Sequence, residues 1–321
     1  MSLATHLIFG ILALAGLILG AEVVITGAKQ ISKRLGLSEF FVGLTLLSIL
    51  TSLPEIMEHI VASVGILRGT GPADTLAAIA VGTNVGSNII QITLITGLVG
   101  VFGVLVCHDH FLKKDYLFML FSIALLWFFS FTGGQITRWE GFILVALYMG
   151  YLYLLGHDEH TLSKFKGKAD SHLLKDIALI GVGFFALLFS ANHILKEAIF
   201  FSETYNISGS LIGTLIVGVA TALPELTTAL TALIKKSSGL SLGTLIGSNI
   251  TNPLLALGTG ALISKYTVGP TLLWFDIPFW FGISIIGFIL FWDGKYLAKW
   301  QAISLILAYA IYIALRLLFF I

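Results

Sequence analysis

Two short segments of this chain, Thr51-Ser-Leu-Pro-Glu55 and Thr221-Ala-Leu-Pro-Glu225, carry the same proline–glutamate pair in the middle of long apolar runs. A carboxylate at membrane depth is costly and is kept where it meets a partner or an ion. A proline inside a helix removes one backbone donor and clashes with the carbonyl a turn earlier, so each copy marks a broken helix. Each is followed by Gly-Ser-Asn-Ile, at Gly86 to Ile89 and Gly247 to Ile250. An offset of 170 relates Gly43, Thr51, Leu53, Pro54 and Glu55 to Gly213, Thr221, Leu223, Pro224 and Glu225. An offset of 161 relates Gly86, Ser87 and Asn88 to Gly247, Ser248 and Asn249. The pattern is that of a duplicated half.

Of the 321 residues 57% are hydrophobic and 11% charged, with a mean hydropathy of +0.98. A soluble core could not hide that much apolar surface, which leaves a helical membrane protein with the lipid bilayer as its surroundings. A net charge of +1 excludes a nucleic-acid partner, and the single Cys107 excludes an internal disulfide. Runs of about 20 apolar residues per span predict ten helices, at 6–28, 38–67, 74–105, 116–132, 139–156, 174–200, 209–234, 240–263, 268–292 and 297–319. The first follows Met1 without a basic leader, so it is read as a retained helix.

A polar loop at 157–173 separates a first half, 1–156 with its repeat at 36–98, from a second, 174–321 with its repeat at 206–258. Five spans is an odd number, so the second half must be inverted. Thirteen of the 18 Lys and Arg residues fall in loops on one side, and only Arg68, Arg138, Lys196, Lys265 and Arg316 on the other. By the positive-inside rule the 157–173 loop is cytoplasmic and both termini lie outside, in a cell membrane. The expected fold class is an all-α membrane protein with ten transmembrane helices in two inverted five-helix repeats.

The chemistry follows from the residues around the breaks. Pro54 and Pro224 are expected to free backbone carbonyls near Ser48 to Leu50 and near Gly218 to Ala220. Beside them stand Glu55, Glu225 and the hydroxyls of Thr51, Ser52 and Thr221. Such oxygens are hard ligands suited to Ca2+ or Na+. Ser87, Asn88, Ser248 and Asn249 offer further oxygens, and Gln91 and Asn252 return to the same helix faces four residues on. Two glutamates give the core two formal negative charges, which one divalent ion would cancel.

These motifs resemble the Ca2+/cation antiporter superfamily and its sodium/calcium exchanger branch, most specifically over 36–98 and 206–258. The family pattern Gly-Thr-Ser-x-Pro-Glu with Gly-Ser-Asn-Ile-x-Asn/Asp stands here as Leu50 to Glu55 with Gly86 to Gln91, and as Ala220 to Glu225 with Gly247 to Asn252. The resemblance implies a sodium/calcium exchanger-like fold and an antiporter that exchanges Ca2+ for Na+ by alternating access. It implies Glu55 and Glu225 as central calcium ligands, helped by Thr51, Thr221, Ser52 and the carbonyls of Ser48 and Gly218. Ser87 and Ser248 would resemble ligands of flanking sodium sites, with Gln91 and Asn252 completing the walls. Leu50 and Ala220 replace the motif glycines, Ala222 lacks the family's hydroxyl, and Gln91 replaces an asparagine.

Calcium/proton exchange at the same glutamates is the alternative, because protons compete for buried carboxylates; a cation channel is the more distant one. No cofactor and no obligatory protein partner are expected, and the chain would act as a monomer. An enzyme is not expected, since neither glutamate has a water-activating partner beside it. Glu58 could extend an ion path, His59 reads as a packing histidine, and Glu22 as a structural hydrogen-bonding group. His108-Asp-His110 and His157-Asp-Glu-His160 read as solvated loop charge, and Trp274, Trp280, Trp292 and Trp300 as including interfacial anchors.

Overall fold

The computed structural model describes residues 3–69, 73–162, 173–204 and 222–319. Gly213, Gly218 and Thr221 of the second repeat therefore lie outside the described residues. The first helix, α1 (Leu3–Leu35), has 33 residues, about 50 Å at 1.5 Å per residue, and overshoots a hydrocarbon core of about 30 Å. It packs on the sixth predicted span, the helix Leu173–Thr204. Gly16 meets Ser190, Gly20 meets Gly183 and Leu187, and Gly27 meets Ile180. One number rises as the other falls, so the two helices run antiparallel, as inversion of the halves requires. Small residues let the backbones approach. Arg34 closes one end of the pair on the nearly buried carboxylate of Asp176, at 2.6 Å.

Seven described helices are long and apolar enough to cross a membrane, and the bent pair Glu39–Thr51 and Leu53–Arg68 makes an eighth. The predicted span at 240–263 falls on a continuous helical run from Ser238 to Ile263, whose Gly, Ser, Thr and Asn residues dilute its hydropathy. The span predicted at 209–234 is described from Leu223 onwards. Large apolar side chains such as Phe185, Trp139 and Phe131 face outward, a surface that only lipid covers cheaply. Trp274, Trp292 and Trp300 are exposed, whereas Trp280 is completely buried, so it is no interfacial anchor.

The 161-residue offset persists well beyond the motifs. Single π-helical turns interrupt the helices at Gln91–Ile95 and Asn252–Leu257, two places that share the offset. Tyr151 donates to Asp115 Oδ1 at 2.9 Å, and the equivalent Tyr312 donates to Asp276 Oδ1 at 2.8 Å. The connections are tied across the halves as well. Val106 bridges Tyr296, and β1 (Gln135–Ile136) pairs antiparallel with β2 (Tyr266–Thr267).

Asp276 is buried and also meets Arg316 Nε at 3.2 Å. Removing one member of a buried ion pair leaves the other uncompensated, so Arg316→Met should cost about 3–5 kcal/mol. Tyr312→Phe, which removes the hydroxyl that donates to Asp276 but leaves the ion pair, should cost about 1.5–3 kcal/mol. Unfolding of the detergent-solubilised variants should rank them in that order.

Candidate cation site

The second predicted span is broken where the sequence places proline. A helical turn at Ser48–Thr51 ends at Ser52, whose backbone (φ −84°, ψ 2°) leaves the helical region, and Leu53–Arg68 restarts with Pro54 in its first turn. The axes on the two sides differ by 43°. Pro54 brings no N–H to the Leu50 carbonyl a turn earlier. The Ser48 carbonyl, expected to be freed, instead accepts the Ser52 amide at 3.1 Å. Ile56, two residues beyond the proline, donates to the Ser52 carbonyl at 3.0 Å, so the break opens nearer Leu50. The second copy repeats the geometry at Ala222 (φ −89°, ψ 1°), with Pro224 in the first turn of Leu223–Ile234.

Each break places its glutamate at the start of the new helix, buried in the protein centre: Glu55 is 1% exposed and Glu225 fully buried. Among the described residues, all four carboxylate oxygens lack a hydrogen-bond partner. The two charges lie near enough to act on each other, and the Thr51 hydroxyl sits beside Glu225. Within the repeated motifs, Ser52 Oγ and Asn252 Oδ1 are likewise buried with no partner among the described residues. An uncompensated buried ion costs several kcal/mol, so this collection of acceptors calls for positive charge.

The walls come from the helix Ser238–Thr251, buried along its whole length. It lies against the first break because glycine permits it. A Cβ on Gly243 would stand 2.9 Å from the Gly43 Cα, and one on Gly247 2.7 Å from the Ser48 Cβ. The contact brings Ser248 Oγ to 3.3 Å from Thr51 Oγ1. Thr251 Oγ1 lies 3.4 Å from Ser48 Oγ and 3.1 Å from Tyr148 OH. Among the described residues nothing lies within 4 Å of a Cβ placed on Gly86, so of the two equivalent motif glycines Gly247 is the one that admits a neighbouring helix.

The polar residues after each Gly-Ser-Asn divide into two groups. Asn88 and Asn249, expected to offer oxygens, spend them on other side chains: Asn88 Oδ1 accepts from Asn252 Nδ2 at 3.2 Å, and Asn249 Oδ1 from Trp280 Nε1 at 3.1 Å. Ser87 Oγ donates to the Asn84 carbonyl at 3.1 Å. Gln91 and Asn252 are buried beside them. His59 is a satisfied packing residue, with Nδ1 3.3 Å from Tyr266 OH and Nε2 3.1 Å from Asn84 Nδ2. Asn84 in turn donates to the Asn252 carbonyl at 2.8 Å.

Elsewhere the candidates are ordinary. Glu58 is half-buried beside Thr83. Glu22 pairs with Lys235 at 3.2 Å on an exposed edge, a contact of at most about 1 kcal/mol. Asp158 pairs with Lys114 and Asp109 with Lys295, and no metal-holding group of His, Cys, Asp and Glu occurs among the described residues. Asn84, Trp280 and Tyr148 are site-supporting residues that lie outside the repeated words, and Thr251 occupies the variable position of the second one, so no motif marks them.

The profile of the sodium/calcium exchanger protein family matches residues 5–156 and 175–318, nearly the whole chain. The chain belongs to the sodium/calcium exchanger family. It is 29% identical to the sodium/calcium exchanger MaX1 of Methanosarcina acetivorans, over 94% of this chain and 96% of that one. It is 28% identical to the inner membrane protein YrbG of Escherichia coli, over 91% and 90%. Its structure is similar to that of the sodium-calcium exchanger NCX_Mj soaked with Na+ and Sr2+, with a TM-score of 0.83 and 25% identity over 98% of this chain and 99% of that one. The architecture is thus the exchanger fold, and the protein is a multi-pass membrane cation exchanger rather than an enzyme.

Proposed function

We propose that this exchanger carries Ca2+ one way across a cell membrane and Na+ the other, by alternating access to a single central site. The observation that carries the reading is the set of four carboxylate oxygens on Glu55 and Glu225 that have no hydrogen-bond partner among the described residues. One Ca2+ would cancel both charges. Na+ would replace it by sharing the same carboxylates, which keeps the two cargoes from binding together. Thr51, Thr221, Ser52 and the Gly218 carbonyl would complete the divalent site, the Ser48 carbonyl adding only the lone pair that the Ser52 amide leaves, with Ser87 and Ser248 serving Na+ and Asn252 offering its oxygen.

Protons could also occupy the two carboxylates, and calcium/proton exchange remains the second reading. What favours Na+ is the supply of neutral oxygens next to the glutamates: Thr51 and Ser248 hydroxyls 3.3 Å apart and an unpartnered Ser52 hydroxyl. A proton needs none of them. The relative MaX1 is named a sodium/calcium exchanger, which points the same way. The two halves, 1–156 and 174–321, would be related by inversion about the site, with the 157–173 loop in the cytoplasm and the termini outside. The chain would work as a monomer without a cofactor.

Reconstitution in proteoliposomes tests the reading. An outward Na+ gradient on internally Na+-loaded vesicles should drive Ca2+ uptake, and collapsing the pH difference should leave it unchanged. Uptake driven by a proton gradient with Na+ absent would replace Na+ with H+ as the coupling ion.

A further inference from the structure

Asn88 and Asn249 are equivalent by the 161-residue offset, and both donate Nδ2 to the carbonyl four residues earlier, Asn84 at 2.8 Å and Leu245 at 3.0 Å. Their oxygens behave differently. Asn88 Oδ1 accepts from Asn252 Nδ2 at 3.2 Å, and Asn252 Oδ1 is then left buried and unpartnered. Asn249 Oδ1 is already taken by the Trp280 indole at 3.1 Å. Asn249 therefore meets Gln91 with Nδ2, and Gln91 answers with Oε1 at 3.0 Å. The group left buried on this side, with no partner among the described residues, is Gln91 Nε2. The first-half equivalent of Trp280 is Met119, also fully buried, which has no N–H to give.

We propose that Trp280 is a specificity-determining positioning residue: by occupying Asn249 it turns the Gln91 amide so that one wall of the cation site presents an N–H donor while the Asn252 wall presents an oxygen. This deepens the exchange reading given above and rests on it. An amide N–H repels a cation. Bound ions therefore gather toward Asn252, and the site holds fewer Na+ than two acceptor amides would allow. An indole-for-thioether difference outside the motifs, Trp280 against Met119, thus adds to the differences between the two halves of the duplicated site.

The test is Na+ competition against Ca2+ binding to the full-length protein in lipid nanodiscs. Trp280→Phe keeps a ring and removes the donor, freeing Asn249 Oδ1 to accept from Gln91 as Asn88 accepts from Asn252. Gln91 Oε1 then turns to the site, so the Na+ competition curve should steepen and shift to several-fold lower Na+. Trp280→Met, the residue of the first half, should do the same if the ring variant folds poorly. Adding Gln91→Met should erase the gain. An unchanged curve, or a gain that survives Gln91→Met, overturns the proposal. A second arm uses no ions: in the ion-free protein, the Gln91 side-chain NH2 resonances should move downfield in Trp280→Phe as they acquire Asn249 Oδ1. No movement overturns the proposal whatever the ions do. Wild-type protein in which Na+ never displaces Ca2+ would sink the exchange reading instead, and the resonance arm would still decide the amide orientation.

Discussion

Glu55→Gln and Glu225→Gln are each expected to abolish Ca2+ exchange while the protein still inserts and folds. The carboxylates are buried with no hydrogen-bond partner among the described residues, so their binding energy is reserved for the cation. Replacing one by an amide halves the formal charge facing a divalent ion and puts an N–H donor among its ligands. A loss of about 3 kcal/mol, ordinary for breaking a buried charge pair, is roughly a hundredfold in affinity. Radioactive Ca2+ uptake in proteoliposomes should therefore drop to background. The ion-free protein should move the opposite way. Without one uncompensated buried charge, each variant should melt at a higher temperature than ion-free wild type, and added Ca2+ should no longer raise its melting point as it does for wild type. Uptake at the wild-type rate in both variants would remove the central claim.

The second large effect is expected away from the ions, where the helix Ser238–Thr251 crosses the broken span. A Cβ on Gly243 would lie 2.8 Å from the Phe40 carbonyl oxygen, 2.9 Å from the Gly43 Cα and 3.0 Å from the Leu44 nitrogen. All three are backbone atoms, so no side-chain rotation relieves the clash. Overpacking against atoms that can yield costs about 1–3 kcal/mol; here Gly243→Val must push two helices apart and should exceed about 3 kcal/mol. The same displacement would separate Thr51 from Ser248, 3.3 Å apart at the site, so any folded fraction should bind Ca2+ weakly. Gly82 provides the contrast, since among the described residues nothing lies within 4 Å of a Cβ placed there. Gly82→Ala should stabilise its helix by about 0.5–1 kcal/mol. Monodispersity on size exclusion and thermal unfolding should separate the two variants clearly.

Local rules explain which features were legible in the sequence. Pro54 breaks its helix whatever surrounds it, and the paired glutamates stand out because carboxylates are rare in apolar runs, so the broken span and the two acids could be read directly. Which oxygens remain free could not. The fate of Asn88, Gln91, Asn249 and Asn252 depends on who donates to whom across helices far apart in sequence, and the deciding donor is Trp280, which reads as one more aromatic in an apolar span. The Ser48 carbonyl is a similar case: proline chemistry predicts a freed carbonyl in that turn, but the Ser52 amide claims this one. Asp115 and Asp276, with Tyr151 and Tyr312, were visible in principle. They share the 161-residue offset but lie outside the motifs, where only a register carried along the whole chain pairs them.

The cross-half ties also govern how the protein can be made. The backbone of Gln135 and Ile136 pairs with Thr267 and Tyr266, and Val106 with Tyr296, so a chain emerging from the ribosome offers each first-half loop long before its mate exists. Asn84 and Asn88, too, wait for Asn252. A nascent first half therefore enters the bilayer with polar side chains whose hydrogen bonding the second half completes, and intramembrane polar groups without partners are costly. Folding cannot be completed half by half. The finished protein is a single cooperative unit whose last helices to be synthesised close the contacts begun by the first.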